Sequence, residues 1–313
     1  MSLARALELA AAADGRAYPK PTVGAVVARD GEIVGEGVTE AGGRHGEVVA
    51  LDEAGDRARG ATLYATMEPC AHWGTTPPCT ERIVADGVIR VVVGSRDPNP
   101  EAAGGLERLA EAGVDVELVD SFEARAQNEA WRVWVSKGRP FVTYKAATTL
   151  DGRVAVPGRR WVTGEESRRL VHELRAAADA VAVGMGTVRA DDPQLDARDV
   201  ATPRGQPRRL AFGSGPLPPG SPLELRSGRL GDELRELASE GVQSLLLEGG
   251  PTLAAAFLEA DLVDKLLVFV APVLVGEGPA AFAARLASPR SLRHLSARAV
   301  GDDVLLTAYV REL

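Results

Sequence analysis

Cysteine, lysine and long apolar runs are all scarce in this 313-residue sequence, and each scarcity excludes something. Only Cys70 and Cys79 carry thiols. That is too few for the disulfide framework of a small secreted domain, and a chain this long can bury a core without one. The start, MSLARALELAAAADGR, reads as an amphipathic helix with acidic residues and not as a signal peptide, so metal binding is expected of the pair in place of a bridge. No apolar run reaches the ~18 residues needed to span a bilayer, so no membrane partner is expected and the cytoplasm is the expected location. Positive charge is also lacking. A net charge of −8 and a pI near 5.2 argue against nucleic acid as a partner and for a small molecule. Lysine supplies only four of the 36 basic residues, and the arginine excess reads as coding bias.

What is present reads as two α/β domains of ordinary size. Residues 3–14 predict a helix. TVGAVVARDGEIVGEGVT predicts two strands joined at an Asp30-Gly31 hairpin turn. HGEVVALDEAGDRA then predicts a helix, ATLYATMEP a strand, TERIVADG a helix and VIRVVVGS a strand, with more helix over 105–113 and 121–136. Trp131 and Trp134, at helical spacing, read as core packing. Gly138 followed by Pro140 is a helix stop, which puts a boundary between domains 1–138 and 139–313. Beyond it come strand FVTYKAA, helix GEESRRLVHELRAA, strand DAVAVG, loop ADDPQLDAR, strands RRLAFGS and QSLLLEGG, helix PTLAAAFLEA and strand DKLLVFVAPVLVG. Residues 201–232, dense in Pro, Gly and Arg, read as a surface loop or poorly regular stretch.

His45-x-Glu47 opens a predicted helix, and Pro69-Cys70 follows a predicted strand, with Cys79 nine residues beyond Cys70. One His and two Cys suit a hydrolytic zinc site, which needs three protein ligands and an open position for water. Glu47, two residues from the ligand His45, is the candidate proton carrier. His-x-Glu with Pro-Cys-x-x-Cys is the general pattern of zinc deaminases acting on nucleobases. Here eight residues, AHWGTTPP, separate the cysteines in place of two. His72 inside that loop reads as a substrate contact or a solvent-facing residue, with a water as the fourth ligand.

These residues and others resemble the bifunctional riboflavin-biosynthesis deaminase/reductase family over nearly the whole chain. The matching pieces are Pro19, Pro21, Val23-Gly24-Ala25, HGEVVAL, MEPCAHWGTTPPC, DPNP, KAATTLDGR, RRWVTG, GTVRADDPQL, LLLEGGPTLA and VAPVLVG. The resemblance implies a cytidine-deaminase-like α/β/α domain followed by a dihydrofolate-reductase-like α/β domain. It implies zinc-dependent removal of the 2-amino group from a phosphoribosylaminopyrimidine, then NADPH-dependent reduction of the ribosyl group to ribityl. The partner is then a small phosphorylated pyrimidine, with a homodimer left open. This chain departs from the family at Lys20, Thr39, Gly46, Val49 and Arg159, where Asn, His, Ala, His and Ser are usual. Lys20 is expected to offset the loss as a cation for the substrate phosphate.

Two strand-to-helix turns, Gly184-x-Gly186-Thr187 and Glu248-Gly249-Gly250-Pro251-Thr252, either cradle a phosphate with free backbone N–H groups or are simply tight turns. The resemblance favours the first reading. It implies cofactor contacts at Ala147, Trp161, Thr187, Asp191, Ser214, Gly250, Pro251, Thr252, Leu253, Ala254, Ala255 and Ala256. Substrate contacts are implied at Arg175, Leu195, Arg198 and Glu248, with Arg175 and Arg198 on the phosphate. Lys145, a charge in an apolar strand, stays open between function and fold. A single-activity deaminase with a non-catalytic second half and a zinc-pinned scaffold are the competing readings. Ammonia release from the pyrimidine is the observation that would exclude the scaffold.

Overall fold

The computed structural model describes residues 2–13, 15, 17–74, 77–282 and 284–313. The chain parts into one unit ending at Lys137 and a second running from Gly138 to Glu312.

In the first unit, α1 (Ser2–Ala12) precedes a hairpin of β1 (Gly24–Arg29) and β2 (Glu32–Val38). Asp30 and Gly31 both take positive φ, 52° and 84°, as a two-residue turn matched to strand twist requires. Then follow α2 (Gly46–Ala54) with a 3₁₀ turn after it, β3 (Thr62–Ala65), α3 (Cys79–Ala85), β4 (Arg90–Val93), α4 (Gly105–Glu111), β5 (Asp115–Leu118), α5 (Phe122–Ala126) and α6 (Glu129–Lys137). The sheet order is β2-β1-β3-β4-β5, antiparallel through β1 and parallel from β3 to β5. Ala25 and Val27 of β1 enter one core cluster with Leu51, Leu63, Ile83, Val91 and Leu109. The helix α2 lies unusually close to β1 and β2. A Cβ on Gly46 would sit 2.3 Å from the carbonyl oxygen of Val23, so only glycine fits there. Thr39 closes on the same residue: its Oγ1 accepts a 2.9 Å bond from the Val23 amide, and its own amide donates to the Val23 carbonyl. Two of the departures from the family pattern, Thr39 and Gly46, thus meet at one backbone unit.

The second unit runs β6 (Phe141–Thr149), α7 (Glu165–Ala177), β7 (Ala180–Gly184), α8 (Met185–Asp191), β8 (Arg208–Phe212), β9 (Glu224–Arg226), α9 (Leu230–Ser239), β10 (Ser244–Leu247), α10 (Pro251–Glu259), β11 (Lys265–Ala271), β12 (Arg293–Val300) and β13 (Asp303–Tyr309). Among the described residues these strands form an eight-stranded sheet ordered β12-β13-β11-β6-β10-β7-β8-β9. It is parallel from β11 to β9, with β13 and β12 antiparallel at one end. The apolar runs of β6, β7 and β10 are buried as expected of central parallel strands, against Phe257, Leu234 and Leu237 from the helices.

The structure differs from the sequence expectations in places. Strand RRLAFGS forms as β8, but the rest of residues 201–232 is not irregular throughout, since it also contains β9 and the start of α9. Leu230, Leu234, Leu237 and Ala238 give α9 a helical stripe that the surrounding Pro, Gly and Arg obscure. Strands β5, β12 and β13 lie outside the expected elements. β5 is four residues long, and β12 is exposed along seven of its eight positions, so neither shows an apolar alternation. Residues 121–136 split into α5 and α6, and position 14 of the first predicted helix lies outside the described residues. Trp131 and Trp134 are half-buried, and only Val133 of α6 is buried.

Candidate active sites

Two helix starts and one loop build the first site. His45 caps α2, Glu47 lies in its first turn, Cys70 follows β3 and Cys79 opens α3. Helix N-termini suit anionic groups there, since their unpaired N–H groups point outward. The ligand atoms of His45, Cys70 and Cys79 lie within 4.8 Å of one another, the one group of this kind among the described residues. His45 Nδ1 is 3.1 Å from Cys79 Sγ and 3.5 Å from Cys70 Sγ. Those gaps suit three corners of a tetrahedron around zinc, whose bonds to N and S are about 2.0–2.3 Å. Hydrogen bonding from Cys79 and from His45 draws Cys70 toward thiolate, and beside that charge buried Cys79 is pushed up. A divalent cation between them removes this conflict, because it stabilises both thiolates.

Glu47 is 3% exposed, and its Oε2 has no hydrogen-bond partner. A buried, unpaired carboxylate oxygen is costly and calls for a donor. Burial pushes its carboxyl up to about 7, against the opposing charge of His45. The residues therefore fit zinc with a water beside Glu47. His72 is not in the ligand group, and its Nδ1 is buried without a hydrogen-bond partner. Thr75 and Thr76 of the same loop lie outside the described residues. Lys20 is exposed, and its charge opposes protonation of His45.

One further residue of this site has no motif of its own. Buried Glu68, in the MEPC segment, accepts from the amides of Asp97, Gly104 and Leu106 at 3.1–3.2 Å, tying residues 97–106 to the strand that leads to Cys70. Gly105 completes the fit, since a Cβ there would lie 1.8 Å from the carbonyl oxygen of Pro69. Only the adjacency of Glu68 to Pro69-Cys70 hints at this, because its partners are more than 25 residues away.

The second site gathers residues that lie far apart in sequence. Glu248 follows β10, and its carboxylate takes two bonds from Arg175 (Nε 2.6 Å, Nη2 3.0 Å) and an ion pair from Lys145 of β6 at 3.1 Å. Burial alone would raise this carboxyl, but the charges of Lys145 and Arg175 outweigh it and hold it at about 2. Lys145 is thus turned toward a buried partner, and Arg175 reaches well beyond its own helix end to Glu248. Arg175 Nη1 also donates to the carbonyl of Asp196 at 3.1 Å. Leu195, next to it, is buried with φ +53°, a strained value of the kind that clusters at ligand sites. Arg198 does not join this group: it is 57% exposed, with Nε 3.4 Å from Asp196.

The glycine turns lie beside it. β7 and β10 are parallel neighbours, and Gly184 and Gly250 cap the helices that follow them, with Pro251 in the first turn of α10. Ligands of open α/β sheets bind at such strand C-termini. A Cβ on Gly250 would lie 3.6 Å from Thr187 Oγ1, so the two turns face each other. Arg189 of α8 donates to the Ser214 carbonyl at 2.8 Å, bringing the end of β8 alongside. Thr252 and Leu253 lie in the first turn of α10, whereas Ala254 is buried in the core and its amide is used within the helix; Ala255 and Ala256 are half-buried behind it. Ala147 lies on β6 opposite Phe269, and Asp191 ends α8. Trp161 is 53% exposed, with Arg160 and Arg168 over its ring at 5.0 and 5.6 Å, and Arg159 is exposed beside them.

Residues 2–95 match the cytidine and deoxycytidylate deaminase zinc-binding region, and residues 140–221 and 223–306 match the RibD C-terminal domain. The riboflavin biosynthesis protein RibD of Mycobacterium tuberculosis is 41% identical, covering 95% of this chain and 93% of its own. That of Escherichia coli is 37% identical, covering 97% of each. Among solved structures, Acinetobacter baumannii RibD has a TM-score of 0.83 at 34% identity, covering 98% of this chain and 97% of its own. A diaminohydroxyphosphoribosylaminopyrimidine deaminase/5-amino-6-(5-phosphoribosylamino)uracil reductase from Thermotoga maritima has 0.80 at 33%, with the same coverage.

Proposed function

This chain belongs to the RibD family of riboflavin-biosynthesis proteins, and we propose that it carries both reactions named for its Thermotoga maritima relative. The first unit hydrolyses the 2-amino group of 2,5-diamino-6-(5-phosphoribosylamino)pyrimidin-4-one. The second reduces the ribosyl group of the product to ribityl with NADPH. The observation that carries this reading is the orphaned Oε2 of Glu47 beside three converging metal ligands.

His45, Cys70 and Cys79 would hold zinc, which when bound lowers the pKa of a water to near neutrality. Glu47 takes a proton at Oε2 and passes it to the departing amine. A carboxyl at about 7 is balanced for both tasks, since a proton carrier works best with a pKa near the operating pH. In the second unit, Thr187 and the amides at the start of α10 receive the cofactor phosphates. Lys145, Arg175 and Glu248 form the polar floor against which the sugar is oriented. Lys20 in the first unit and Arg198 in the second, both exposed, reach for the substrate phosphate. The two units act separately, so residues 1–138 suffice for deamination.

The test is to supply purified protein with the diaminopyrimidine, with and without NADPH. Ammonia should appear in both cases, and NADPH should be consumed only after deamination. Ammonia release with no NADPH oxidation at any substrate level would remove the second activity.

A further inference from the structure

His172 stands on α7, one turn before Arg175, and the site described above leaves it without a role. Its Nδ1 faces two backbone groups of opposite kind, the carbonyl of Asp196 at 3.2 Å and the amide of Arg198 at 3.2 Å. One nitrogen cannot serve both at once. With Nδ1 protonated it donates to the Asp196 carbonyl and leaves the Arg198 amide without an acceptor. With Nδ1 bare it accepts from Arg198, and the Asp196 carbonyl still has the 3.1 Å bond from Arg175. The second arrangement satisfies both backbone groups, so the neutral Nε2–H ring is the one that fits.

We propose that His172 is a positioning residue of the reductase site: the neutral ring holds the Arg198 amide in place, and protonation releases that amide and moves the bond to the Asp196 carbonyl. This rests on the reading of the second unit as a reductase. The segment 196–198 follows Leu195 and carries Arg198, and its Asp196 carbonyl is bound to Arg175, which holds Glu248. A proton on the ring removes the acceptor for Arg198 and adds a third positive charge among Arg175 and Arg198. The charged groups facing the ring are Arg175 from its own helix and Asp196 and Arg198 from the loop. Burial and Arg175 hold the ring below its ordinary value, so it is neutral at pH 7 and charges only on acidification.

Steady-state reduction between pH 7.5 and 5.5 tests this, with the deaminated pyrimidine as the varied substrate. The substrate phosphate itself titrates near pH 6, so its contribution must be separated. His172→Gln does so, because its Oε1 can accept from the Arg198 amide without titrating. In the wild type, KM should rise on acidification roughly five- to tenfold more than in His172→Gln, with kcat changing less. His172→Leu, which lacks an acceptor, should show the raised KM already at pH 7.5. Parallel KM profiles in wild type and His172→Gln would overturn the proposal, as would an unaltered KM in His172→Leu. Ring ¹⁵N shifts give a readout independent of turnover: Nε2–H at pH 7 is expected, and Nδ1–H would overturn the proposal. A wild type that reduces nothing would defeat the functional reading, while the ring tautomer would still decide the placement of His172.

Discussion

Glu47 and Glu248 are the same chemical group, buried to nearly the same depth, yet they are driven in opposite directions. Glu47 has an oxygen with no partner, and burial pushes it up to about 7. Glu248 is clasped by Lys145 and Arg175 and held at about 2. Depth alone therefore does not set the behaviour of a buried carboxylate; the charges at hydrogen-bond distance do. The difference also separates what the two groups can do. Glu47 is poised to take and give a proton near pH 7, whereas Glu248 stays a fixed anion that orients its neighbours.

The sharpest way to break this comparison is to remove each charge with little change of shape. Glu47→Gln should lower deamination by roughly 10²–10⁴-fold, the usual share of acid–base catalysis. Zinc content, read by metal analysis, should remain near one per chain, and the melt of the first unit should not fall. Cys79→Ala should instead lose the metal. Substantial deamination by Glu47→Gln would refute its role.

Glu248→Gln should act on stability where Glu47→Gln does not, because it strands Arg175 and Lys145 without their anion. Breaking a buried pair on one side costs about 3–5 kcal/mol, measurable as a lowered urea midpoint for the second unit. The pH dependence follows from the lowered carboxyl. Glu248 contributes stability in full above its unfolded value near 4.5, and that contribution is lost as pH falls from there through about 2. The loss is on the order of 3 kcal/mol. Urea titrations of the wild type at pH 6, 4 and 3 should show it, and Glu248→Gln should lack that part of the decline.

Gly46→Ala is the smallest change and should cost about 1–3 kcal/mol, because the added methyl meets the Val23 carbonyl, a backbone atom that cannot swing aside. A lower melting temperature for the first unit is the expected outcome. An unchanged melt would mean that α2 can rise from the sheet without penalty.

The first site is largely legible in the sequence. Its metal ligands and Glu47 fall between residues 45 and 79, and their spacing follows from two helix starts and a strand end. Chemistry confined to a short stretch leaves a local pattern. The second site leaves no such pattern. Arg175 and Glu248 are implied only by resemblance to a family, Lys145 stays open in the sequence, and their mutual pairing spans up to 103 residues of chain, between Lys145 and Glu248. His172 and Glu68 escape the sequence for the same reason, since each bonds to backbone groups more than 20 residues away.

From its sequence alone this chain determined two α/β units, a zinc-type ligand set and the positions of its main strands, because periodicity, turn chemistry and motif spacing act over a few residues at a time. Only the tertiary structure decided that Lys145 faces a buried partner, that Arg175 reaches Glu248 and that Oε2 of Glu47 is left without a partner. Those outcomes depend on which charges the packing of distant strands and helices brings within about 3 Å, and no local pattern encodes that distance.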